Sequence, residues 1–141
     1  MAGTVEKKLA DLGITLHAPA PAIANYVPLV RTANFMVVSG QLCFDDAGKL
    51  VAQGQLGAGV SIEDGRKAAL GDLDKVVRVV RLGGFVNSAP DFLDGPKVLN
   101  GASDLMVAVF GDKGRHARTT VGVASLPADA SVEVEGLFEV S

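Results

Sequence analysis

An α+β fold, with helices on one face of a β-sheet, is the class this sequence predicts, and three observations predict it. Strand-like runs lead the chain, Val27 to Thr32 and Phe35 to Phe44, around Ala33-Asn34 as a tight turn. A helical set follows later: Val98, Ala102, Leu105, Met106 and Val109 repeat at i, i+4, i+7 and i+8. Two more strands close the chain, Thr119 to Ala124 and Val132 to Val140. The last one alternates, with Val132, Val134, Phe138 and Val140 on one face and Glu133, Glu135, Leu137 and Glu139 on the other. A sheet covered by helices on one side leaves its other side to water or to another subunit.

Each element has a local reason. Val5, Leu9 and Leu12 at helical spacing predict a short amphipathic helix that Gly13 stops. Pro19 and Pro21 then fix an extended connection, so residues 1–20 read as a helix and extended segment of one domain spanning 1–141. Gly40 inside its strand predicts a bulge or the close approach of another group. Asp45 to Gly48 is a turn, Lys49 to Gln55 a returning strand, and Gly54 to Gly59 a flexible loop without dinucleotide spacing. Ser61 to Asp64 fits a capping box, opening a helix towards Leu70 that Gly71 ends or bends. β-Branched crowding between Lys75 and Val86 predicts a largely buried strand. Pro96 to Phe110 is the main helix, closed by Gly111, and Lys113 to His116 is a polar loop. The last two strands, joined through Leu126-Pro127-Ala128-Asp129, read as an antiparallel pair.

Composition narrows the function. At 141 residues the chain suits one domain, and a chain of this size buries about 68–70% of its unfolded surface without a staple. Thirteen basic against sixteen acidic side chains give a net charge of −3, which argues against a nucleic-acid binder by charge. One cysteine excludes an internal disulfide or a Cys-rich zinc site, and two separated histidines argue against a metal enzyme. The sequence has no long apolar run for a membrane and no secretory apolar core at its start, so the expectation is cytoplasmic.

Two residue types could carry chemistry. Arg118 opens a strand after a glycine-containing loop; it is either a surface ion-pairing residue or a planar fork for a carboxylate. Glu133 belongs to a row that is either a solvated face or the source of a carboxylate that orients water. On consecutive strands of a hairpin, both would border one cleft and suit hydrolysis of a small amino-acid-derived molecule. Ser39 lacks a nucleophile-elbow context, Cys43 reads as a small core residue, and Tyr26 either binds a ligand or caps a packing site.

Three stretches together resemble the RidA/YjgF family of reactive-intermediate deaminases, also called the endoribonuclease L-PSP family. They are Pro21-Ala22-Ile23-Ala24-Asn25-Tyr26-Val27, Val37-Val38-Ser39-Gly40-Gln41, and a C-terminal signature. That signature runs Ala117-Arg118-Thr119-Thr120-Val121, Leu126-Pro127 and Val132-Glu133-Val134-Glu135, and the likeness spans about residues 21–140. The N-terminal helix and the stretch from Ser88-Ala89-Pro90 to Asn100-Gly101-Ala102-Ser103 mark a less characterised branch.

The resemblance implies a chorismate-mutase-like fold with a mixed sheet, and a homotrimer whose sheets pack around a central barrel with sites in clefts between subunits. It implies hydrolysis of 2-aminoacrylate and related enamine or imine acids to 2-keto acids and ammonia, with neither metal nor cofactor. Arg118 would clamp the substrate carboxylate and Glu133 would position the attacking water, while Tyr26, Ser39, Asn100 and Thr120 match other pocket positions. Two alternatives remain: a non-catalytic trimer that senses small carboxylates, and an RNA-directed translation inhibitor. The chain departs from the pattern twice. Thr120 stands where the better-known deaminases often carry cysteine, which bears on substrate range. The helix of Ser61 to Gly71 is also about three turns shorter than usual at 3.6 residues per turn, through a real truncation or omitted residues.

Overall fold

The computed structural model describes residues 3–14, 24–44, 47–56 and 75–141. Expectations for Pro19 and Pro21, for Asp45-Asp46, for Gly57 to Gly59 and for the Ser61–Leu70 helix fall outside them. Two helices and five strands follow in chain order: α1 (Thr4–Asp11), β1 (Leu29–Thr32), β2 (Phe35–Leu42), β3 (Val76–Asn87), α2 (Gly95–Phe110), β4 (Ala117–Val123) and β5 (Val132–Val140). The strands form one mixed sheet in the order β1-β2-β5-β3-β4. Both helices pack on the same face.

Helix α2 forms where the periodicity places it. Pro96 lies in its first turn, where a missing N–H costs nothing, and Gly111 ends it at φ 63°, a conformation glycine adopts without strain. Its apolar stripe buries Val98, Leu99, Met106, Val109 and Phe110. The lower half meets Leu9 of α1 with Val79, Leu82, Phe138 and Val140 of the sheet. The upper half meets Leu56, Val86 and Val132. Lys8 ties α1 to the end of α2 by donating from Nζ to the Val109 carbonyl at 3.2 Å.

Two expectations give way. Lys49 to Gln55 forms no strand; the segment is held by the single bridges Phe44–Leu50 and Gln53–Ala130, with Leu56–Ser88 just beyond it, and by scattered hydrogen bonds such as that from the Val51 N–H to the Cys43 carbonyl. Nor do the last two strands pair with each other. β3 lies between them, parallel to β4 and antiparallel to β5. The reason is in the connections. α2 carries the chain across the sheet between β3 and β4, the crossover that a parallel pair requires. The 3₁₀ turn at Pro127–Asp129 is then held at the end of β3 by Asn87. The Asn87 Nδ2 donates to Asp129 Oδ1 (3.1 Å) and the Ala130 carbonyl (3.2 Å), and its backbone N–H donates to Ser131 (2.9 Å). From that anchor β5 runs between β2 and β3, where its buried row gains a neighbour on each side. β4, exposed along most of its length, is left at the edge.

Candidate functional site

Gly40 does produce a bulge. Register shifts between Val38 and Gln41, so Ser39 and Gly40 together stand opposite one residue, Glu135. The missing Cβ of Gly40 also makes room: a Cβ there would run into the Glu133 carboxylate, which reaches over from β5. Glu135 lies over Gly83 in the same manner, 2.5 Å from where a Cβ would stand, and meets Arg81 at 3.8 Å. Burial pushes the Glu133 carboxyl above its usual range, and the negative charge of Glu135 adds to the shift. Ser39 joins this group; its hydroxyl donates to the Val27 carbonyl at 2.9 Å, next to the exposed Tyr26. Tyr26, Ser39 and Glu133 thus occupy the β1-β2-β5 side of the sheet.

Arg118, Asn100 and Thr120 gather on the other side. From β4, Arg118 reaches under α2, where Nη1 donates to Asn100 Oδ1 (2.9 Å) and to Ser103 Oγ (3.1 Å). Its Nη2 donates to the Pro96 carbonyl at 3.4 Å. The guanidinium has five hydrogens, so Nε–H and one Nη2 hydrogen keep no partner among the described residues. The residue remains exposed. The Thr120 hydroxyl is buried and has no hydrogen-bond partner among the described residues, and the residue's methyl group lies beside Gly95 in the first turn of α2.

The expected cleft between Arg118 and Glu133 does not exist within one chain. Arg118 pairs with Leu82, which pairs with Gly136; Glu133 pairs with Phe85, which pairs with Val121. Directly paired residues share a face, and Leu82 and Phe85 are three apart, so the two side chains point to opposite faces. Two strand spacings of about 4.8 Å and three residues of about 3.3 Å each put their Cα atoms roughly 14 Å apart. The hairpin reading failed because it placed consecutive strands side by side. What the chain presents is an anchored guanidinium on one face of the sheet and a half-buried carboxyl on the other.

The sequence reading missed the support under Arg118. Asn100 and Ser103 are one helical turn apart, and that i, i+3 polar pair on an otherwise apolar face was the available signal. Among the described residues, no group of three His, Cys, Asp or Glu side chains could hold a metal ion. None of the described helices is long and apolar enough to cross a membrane.

Comparison with known proteins agrees with this architecture. Residues 6–139 match the family model described as "YjgF/chorismate mutase-like, putative endoribonuclease". Protein TCP17 of Trypanosoma cruzi is 46% identical over 154 residues, covering 99% of this chain and 96% of that protein. The crystal structure of Atu1372, a protein of unknown function from Agrobacterium tumefaciens, is 40% identical with a TM-score of 0.87. It covers 97% of this chain and 92% of its own. A "putative endoribonuclease" from Shewanella oneidensis is 32% identical with a TM-score of 0.90, over 98% of this chain and 100% of that one. By sequence and by fold, this chain belongs to the RidA/YjgF family.

Proposed function

We propose that the chain hydrolyses small imine and enamine acids of the 2-aminoacrylate type to 2-keto acids and ammonia, at sites completed between copies of itself in a homotrimer. One observation carries this reading: Arg118 is held by α2 with its Nε–H and one Nη2 hydrogen unpartnered among the described residues, a fork for a carboxylate. Glu133 lies on the opposite face of the sheet, so the site needs a second copy to bring the two together. The face bearing Glu133 also exposes Phe35, Val37 and Val121, apolar side chains suited to packing against another protomer.

The reaction needs orientation and proton transfer. An enamine acid first tautomerises to its imine. The free Nε–H and Nη2–H of Arg118 take the substrate carboxylate as a fork and fix the imine carbon. Glu133 of the adjoining copy accepts a proton from water as the water oxygen bonds to that carbon, and the imine nitrogen takes up a proton. Glu133 then returns its proton to the amine nitrogen as the C–N bond breaks, and the hydroxyl gives its own proton to solvent, replacing the one the imine nitrogen drew from it, which leaves the keto acid and ammonia. A carboxyl raised above its usual range holds the proton from water more firmly than an ordinary carboxylate does and can still return it. Tyr26 and Ser39 wall the carboxyl side, and Asn100 and Thr120 the arginine side.

The test is to generate the imine in the assay and follow keto acid above the uncatalysed rate. Arg118→Ala and Glu133→Ala should each lower kcat/KM at least about 100-fold. Binding of small carboxylates with no turnover in the unmodified protein would instead make it a sensor. Steeply salt-dependent RNA binding would favour the nucleic-acid reading, against which Glu133, Glu135 and Glu139 on the open face already argue by charge.

A further inference from the structure

Two polar side chains beside Arg118 have no part in the chemistry above: Ser103 on α2, and His116 just before β4. His116 Nδ1 faces the Gly114 carbonyl oxygen, which can only accept, so Nδ1 carries the ring hydrogen. Nε2 lies 3.1 Å from Ser103 Oγ, and in the neutral ring it is an acceptor. With the ring neutral, the Ser103 hydroxyl donates to His116. Its lone pairs are left for Arg118, whose Nη1 donates to it at 3.1 Å. The hydrogen bonds thus run one way, from Arg118 through Ser103 to His116 and on to the Gly114 carbonyl.

This direction matters because a serine inside a helix has other choices. Its hydroxyl can rotate and bond a carbonyl of the preceding turn, turning its hydrogen or its lone pairs elsewhere. His116 removes that freedom. Arg118 is itself exposed on an edge strand, where an unheld arginine spreads over many rotamers and loses that entropy on binding.

Resting on the reading of Arg118 as a carboxylate clamp, we propose that Ser103 and His116 are positioning residues. They fix the guanidinium plane before substrate arrives, so that Nε–H and one Nη2 hydrogen are presented together. Neither residue touches substrate; both act through Arg118.

The experiment compares Ser103→Ala, Ser103→Thr, His116→Phe and His116→Gln in imine turnover and in calorimetric titration with 2-oxobutanoate, a small 2-keto acid. Ser103→Ala and His116→Phe should raise KM and the 2-oxobutanoate Kd about five- to tenfold, with kcat held within about twofold. Ser103→Thr and His116→Gln keep a hydroxyl and an acceptor and should recover most of the loss. In an Arg118→Lys background, Ser103→Ala should add nothing. A lowered thermal midpoint with KM and Kd unmoved would show a merely structural role and overturn the proposal.

Nitrogen NMR separates this inference from the function beneath it. Slow rotation about the Arg118 Cζ–Nη1 bond in the unmodified protein, lost in Ser103→Ala, would support the positioning even in a protein that turns over no imine. Fast averaging in the unmodified protein would overturn it even in an active enzyme.

Discussion

Glu133 owes its raised proton affinity first to burial and then to Glu135. Because its folded value lies above the unfolded one, the native state binds the proton more tightly, and stability falls as pH rises through the window above 4.5. Glu133→Gln should therefore raise the thermal midpoint at pH 7, with the gain vanishing in acid, as scanning calorimetry at several pH values would show. In turnover, the acid limb of the kcat/KM profile should lie above the ordinary carboxylate range and disappear in Glu133→Gln. Gly40 is the partner position. Gly40→Ala puts a methyl group where the carboxylate now lies, so the Glu133 side chain must swing aside; kcat/KM should fall while denaturant midpoints show a loss of no more than about 1 kcal/mol. The alternation from Val132 to Val140 was legible residue by residue, and so was the irregularity at Gly40. That the one explains the other was not, because the glycine and the glutamate are 93 positions apart and meet only across the β2–β5 register.

At the scale of elements, the seat of α2 on β3 decides where Arg118 is held. Gly84 lets the helix approach closely; a Cβ there would strike the Leu99 side chain. Gly84→Ala should cost about 1–3 kcal/mol, and Leu99→Ala about 2–5 kcal/mol. The double variant should cost less than the sum, because the new methyl group enters the space that leucine vacates; equilibrium unfolding of the four proteins measures the coupling. Helices and strands were legible wherever period and terminator agreed, as in Val98 to Gly111. Pairing was not. Local pattern marks β4 and β5 as strands, but their separation depends on the Asn87 hydrogen bonds and the α2 crossover, neither of which leaves a periodic trace. Ser103 left a trace as Asn100's polar neighbour one turn on, but His116 left none, because its link to Arg118 runs through Ser103 and exists only once α2 has docked.

For the whole molecule, the open sheet face sets the behaviour. Val37 on β2 is 47% exposed, and its neighbour Leu137 on β5 is partly so, in an apolar row that no described helix covers. Val37→Glu should leave the fold intact but dissociate the assembly and abolish turnover together, as sedimentation and the imine assay on one sample would show. If each site takes its arginine from one protomer and its glutamate from the next, two variants that each lack one of these groups should complement each other in mixed assemblies. Arg118→Ala and Glu133→Ala chains should each be inactive alone; refolded together in equal amounts as trimers, about three quarters of the assemblies would be mixed, each with one intact site of three. About a quarter of the unmodified activity should return in that mixture. No recovery, with mixed trimers demonstrated by mass spectrometry, would contradict a shared site.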